Sequence, residues 1–75
     1  MSGKNKSEKF VELANKRVNK AIKDLRLISN LANKKNYEFS EEQASKIVRT
    51  LHKEVESVKQ AFLVAKEVEQ GEFKL

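Results

Sequence analysis

Few side chains in this sequence could take part in catalysis, and none falls into a known catalytic pattern. His52, the single histidine, precedes Glu56 by four residues, a helical spacing that suits an ion pair or two metal ligands. A metal site needs further ligands, and the chain has no cysteine and no second histidine. Ser29, Ser45 and Ser57 lack histidine or aspartate partners in such a pattern, and no glycine-rich phosphate loop occurs. We therefore expect no enzymatic activity, no metal and no cofactor.

Lysines in the first half of the chain form the largest group of candidate binding residues. On a helix, most of them fall within a narrow arc opposite the apolar residues, and the full set is Lys9, Lys16, Lys20, Lys23, Lys34 and Lys35. Such a face could follow a phosphate backbone or contact an acidic partner. The alternative is an ordinary solvated helix face. Arginine and aromatic side chains are scarce there, so any nucleic-acid binding should depend on charge and on salt.

The segment that would join two helices is a second candidate region. Its polar side chains and one ring could contact phosphates or bases, and the residues are Asn30, Asn33, Asn36 and Tyr37. The alternative is a structural role. Asn33 and Asn36 are candidate left-handed residues at a helix end, and Tyr37 with Phe39 could cover the end of an apolar core.

The net charge of +5 is unevenly distributed along the chain. Residues 1–36 carry ten basic and three acidic side chains, whereas residues 37–75 carry six basic and eight acidic ones. The two halves could attract each other, and the basic half could also face an acidic partner.

Two amphipathic helices should position these residues. Apolar side chains at alternating spacings of three and four predict a first helix at about 8–34, with Ser7 as its N-cap. This first apolar stripe consists of Val11, Ala14, Val18, Ala21, Leu25, Ile28 and Ala32. The same spacing predicts a second helix at about 41–70. This second apolar stripe consists of Ala44, Val48, Leu51, Val55, Val58, Phe62 and Ala65.

Both ends of the second helix carry boundary signals. Ser40 and Gln43 have the spacing of a capping box, and Gly71 is a natural C-terminal stop. The short connector indicates an antiparallel hairpin, with a disordered tail at residues 1–7 and a C-terminal tail at residues 71–75. The predicted fold class is therefore all-α.

A lone hairpin has a single helix–helix interface, and the apolar surface buried there is too small to offset the conformational entropy lost on folding. A second copy would solve this by forming a four-helix bundle, so we expect a homo-oligomer, most simply a dimer. Four apolar residues fall off the two stripes and could form that surface or bind another protein: Leu13, Leu27, Leu63 and Val64. The alternative is that they are scattered surface residues.

Two functions are compatible with these features. The leading hypothesis is a small non-enzymatic interaction or regulatory protein that contacts a protein partner through its helix faces and hairpin tip. The alternative is a nucleic-acid-binding accessory protein that uses the basic helix face and the tip. The lack of cysteine, of a long apolar run and of a signal sequence predicts a cytoplasmic protein that contacts no membrane.

Three stretches carry a resemblance to known proteins. The runs Arg17–Ala21 and Arg26–Asn33, followed by Asn36 and Tyr37, resemble short helical-hairpin proteins of bacteria and phages, over about residues 8–62. This resemblance implies no activity. In architecture the chain is also similar to plasmid copy-number regulators, which are dimeric helical hairpins that bind RNA, and that analogy concerns the fold alone.

Overall fold

The computed structural model describes residues 5–70, with side chains described for residues 5–66. Within this range the chain forms two α-helices and one 3₁₀ turn, and no strand. The helices are α1 at Lys6–Ser29 and α2 at Glu41–Gln70. The predicted all-α class is therefore confirmed.

The chain divides into two units between Glu38 and Phe39. The first unit contains α1 and the 3₁₀ turn at Asn30–Ala32, and the second contains α2. The predicted stop at Gly71 and the predicted tail at residues 71–75 lie outside the described residues, as do residues 1–4 of the predicted N-terminal tail.

The start of α1 differs from the prediction. Asn5, not Ser7, is the N-cap: its side-chain oxygen accepts the Glu8 backbone N–H at 2.7 Å, and its own N–H donates to the Glu8 carboxylate at 3.3 Å. This reciprocal pair is a capping box. A cap at Ser7 would place Phe10 three residues later, and a phenyl ring cannot return the second hydrogen bond. Lys6 and Ser7 therefore belong to the helix rather than to a disordered tail.

The end of α1 also differs from the prediction. The α-helix ends at Ser29, whose hydroxyl donates to the Leu25 carbonyl at 3.2 Å, and residues 30–32 tighten into the 3₁₀ turn. Such tightening is common in the last turn of a helix. The left-handed conformation predicted for Asn33 and Asn36 is wrong, because no described residue has a positive φ. A left-handed backbone would cost these residues about 1–2 kcal/mol, and the turn described below avoids that cost.

The start of α2 is as predicted. The Ser40 hydroxyl accepts the Gln43 backbone N–H at 3.0 Å, and the Gln43 side-chain oxygen accepts the Ser40 N–H at 2.9 Å. Glu41 and Glu42 follow in the first turn, where negative charge is favourable to the helix dipole. α2 then runs without a break to Gln70, and no cis peptide bond occurs among the described residues.

Candidate interaction surfaces

The first apolar stripe lies along α1 and is largely exposed. Val18, in the middle of the helix, has a relative exposure of 56%. Ala14 and Ile28 are half-buried, and no residue of α1 is buried. An amphipathic helix gains most of its stability by packing this face, so the face is a candidate contact surface.

The second apolar stripe, along α2, shows the same pattern. Val55 is 63% exposed, whereas Ala44 and Leu51 are half-buried. Fully burying a valine side chain contributes about 1.5 kcal/mol or more, so a half-exposed valine retains roughly half of that for a later contact. β-Branched residues at positions 48, 55 and 58 also have restricted side-chain rotamers in a helix, which lowers the entropy lost on packing.

The four predicted off-stripe residues are divided between the two helices. On α1, Leu27 is 58% exposed and Leu13 is half-buried. On α2, Leu63 and Val64 are exposed. At 100° per residue, Leu63 and Val64 point in directions 100° apart, so they do not share one narrow face.

The lysine face of α1 consists of Lys9, Lys16, Lys20 and Lys23, all of which are exposed. Lys20 Nζ lies 3.1 Å from Asp24 Oδ2 in a pair whose side chains are 76% and 54% exposed. Such an exposed pair is weak and exchanges readily with other anions. Lys34 follows the 3₁₀ turn, where about 120° separates successive residues, so an α-helical extrapolation does not place it on this face.

The predicted tip residues lie in one compact turn organised by Asn33. The Asn33 carbonyl accepts the backbone N–H groups of Asn36 at 3.1 Å and Tyr37 at 3.0 Å. The Asn33 side-chain oxygen accepts the Lys35 N–H at 3.0 Å, as in an Asx turn. The backbone and side-chain oxygens of Asn33 thus both accept hydrogen bonds from the turn.

The other tip residues are placed differently. Asn30 is the C-cap of α1, and its backbone N–H donates to the Arg26 carbonyl. The ring of Tyr37 is about half exposed, and the side chains of Asn30 and Asn36 are also exposed. Sequence reasoning grouped all four tip residues as possible ligand contacts. All four residues are exposed, and Asn33 in addition accepts hydrogen bonds from the backbone of the turn.

The residues with possible catalytic chemistry are dispersed. His52 and Glu56 are both exposed on α2. Across the described part of the chain, no group of three His, Cys, Asp or Glu side chains is positioned to hold a metal ion. Within residues 5–70, neither helix has the combined length and apolarity that crossing a membrane requires.

Within residues 5–70 the structure defines the class as an all-α protein with two α-helices. No protein-family model, curated protein or solved structure matches the sequence. The resemblance to short bacterial and phage hairpin proteins therefore stays a prediction.

Proposed function

We propose that this chain is a non-enzymatic interaction module that binds protein through the apolar side chains of its two helices. The observation that carries this proposal is the exposure of both apolar stripes, with Val18 and Val55 each more than half exposed. Heptad-type spacing along both helices is typical of surfaces that pack against other helices.

We propose further that the two stripes pair with each other as an antiparallel hairpin. Spacings of three and four recur in both stripes, so a register exists in which every stripe residue has a counterpart. In one such register Ala21 would pair with Val55 and Ala14 with Phe62. In these two pairs a small residue would face a larger one, which is how well-packed helical cores fill space.

The first protein partner we propose is a second copy of the same chain, which would complete a four-helix bundle. The off-stripe residues Leu13 and Leu27 on α1 would remain accessible after the stripes pair, since they lie away from the first apolar stripe. A two-helix unit has little apolar surface to offset its conformational entropy, and a second unit doubles the number of helix contacts.

The test is the mass in solution combined with helicity. Sedimentation equilibrium over a wide concentration range should show association from the 8.6 kDa chain to a dimer of twice that mass. Leu13→Ser with Leu27→Ser should return the mass to that of one chain while retaining helical circular dichroism. Val18→Asp with Val55→Asp should reduce helicity itself, because these changes place charges on the stripes.

A matched control uses polar residues of the same helix. Asn15→Ser with Asn19→Ser replaces two exposed side chains of α1 by the same hydroxyl group. This control should keep both the dimer mass and the helicity. Two results together would refute the proposed function. The unchanged chain would be a monomer at every concentration, and the variant with Val18→Asp and Val55→Asp would stay fully helical.

A further inference from the structure

We infer that the lysine face of α1 is a docking surface for the phosphate backbone of a double-stranded nucleic acid. This inference rests on one helix and on the face opposite its apolar stripe. Leu13 borders that face and Leu27 lies on it four residues after Lys23, so the proposed self-association uses the same side of α1. The titration described below changes lysines and leaves both leucines in place, so its outcome is separate from that of the mass measurement.

The first argument is the arrangement of charge on α1. At 100° per residue, Lys9, Lys16, Lys20 and Lys23 fall within an arc of about 60°. Between residues 9 and 23 no other residue of the helix falls in that arc. Glu12 and Leu13 border the arc at about 20° on either side, and Asp24, about 40° outside it, forms its exposed pair with Lys20. Leu27 falls on the same line four residues after Lys23. Between residues 9 and 23 the arc itself is therefore uniformly cationic.

The second argument is the length and rigidity of the face. The lysines span residues 9–23 of an uninterrupted helix, so Lys9 and Lys23 are about 21 Å apart along the axis at 1.5 Å per residue. A duplex carries one negative charge per about 1.7 Å of its axis, so a straight cationic ridge of this length meets many phosphates. Single-strand binders add aromatic side chains on which bases stack, and the lysine arc contains none, which favours a duplex.

The third argument is the contrast with α2. Lys46, Arg49 and Lys53 have a similarly close spacing on its polar side, but they lie among residues 37–75, which carry six basic and eight acidic side chains. The lysine face lies among residues 1–36, which carry ten basic and three acidic ones. Each cluster has two acidic neighbours at helical spacing, which are Glu12 and Asp24 on α1 and Glu42 and Glu56 on α2, so the contrast lies in the net charge of the surrounding chain. The two clusters have equal charge but different surroundings, so α2 supplies a matched control.

The expected binding is independent of base sequence and sensitive to salt. Four lysine–phosphate contacts give a slope of about −3.6 in log affinity against log salt for duplex DNA, or roughly a 150-fold loss between about 50 and about 200 mM. Lysine side chains act as point charges on phosphates and carry no sequence information here.

The experiment is a fluorescence-anisotropy titration of the full chain with a DNA duplex of about 20 base pairs, two helical turns, at both salt concentrations. Changing Lys16, Lys20 and Lys23 to Gln should reduce the salt-dependent loss to roughly 3-fold, since one contact remains. Changing Lys46, Arg49 and Lys53 to Gln should leave it at roughly 150-fold. Each triple variant lowers the net charge from +5 to +2, and Gln preserves helix propensity, which circular dichroism checks.

Parallel titrations with polyglutamate and with phosphatidylserine vesicles distinguish nucleic acid from other anions. Weak or no binding to both, together with the difference between the triple variants, supports the inference. Three results would overturn it: no duplex binding at the lower salt, equal weakening by both triple variants, or equal affinity for polyglutamate or the vesicles.

Discussion

The capping of α1 gives a prediction that distinguishes the structure from the sequence-based expectation. Asn5→Ala removes the side-chain acceptor that lies 2.7 Å from the Glu8 N–H, and it retains the backbone N–H of residue 5 that donates to the Glu8 carboxylate. Replacing such a cap by alanine costs about 1 kcal/mol of stability. For a domain of this size that corresponds to a fall in melting temperature of roughly 4–8 °C.

Ser7→Ala is the matched change, because Ser7 was the expected cap and the structure places it inside α1. Alanine has a higher helix propensity than serine, so this variant should be unchanged or slightly more stable, within about 0.5 kcal/mol. The assay is thermal and urea unfolding by circular dichroism at one fixed protein concentration, since the proposed dimer would make stability concentration-dependent. Amide hydrogen exchange at Glu8 gives a local readout, which should be faster in Asn5→Ala alone. If Ser7→Ala were the destabilising change and Asn5→Ala were neutral, the capping argument would be refuted.

Two further predictions concern α2 and the tip. Ser40→Ala should destabilise the chain by about 1 kcal/mol because it removes the hydroxyl that accepts the Gln43 N–H at 3.0 Å. Ser40→Gly should cost only about a few tenths of a kcal/mol. Urea unfolding measures both free energies, and equal costs would contradict this account. Asn33→Ala should loosen the turn by removing the side-chain oxygen that accepts the Lys35 N–H at 3.0 Å, whereas Asn33→Asp should retain that acceptor. Amide hydrogen exchange at Lys35 should therefore be faster in the alanine variant alone. Unchanged exchange in that variant would argue against the Asx turn.

The helices and the start of α2 could be predicted from the sequence because they depend on local interactions. Apolar spacing of three and four specifies an amphipathic helix whatever surrounds it. Ser40 and Gln43 are three residues apart, so each reaches the other's backbone N–H within a single turn. The lysine face could be located for the same reason, since helical periodicity alone places its members on one side of α1.

The boundaries of α1 could not be predicted as well, because several local hydrogen-bond arrangements compete there. Asn5 and Ser7 are both good N-caps, and only the reciprocal bonds with Glu8 distinguish them. That signal was present in the spacing of Asn5 and Glu8 and was missed. At the other end, the asparagines suggested a left-handed stop, whereas the chain forms a 3₁₀ turn followed by an Asx turn at Asn33.

The sequence by itself therefore determined the fold class, the two apolar stripes and the cationic face, because each follows from a repeat measured over one or two helical turns. The three-dimensional structure decided which asparagine caps, which one organises the turn, and which side chains remain exposed. These features depend on hydrogen bonds that must form together and on the surface that each side chain leaves to water, and neither is encoded in the spacing of residues alone.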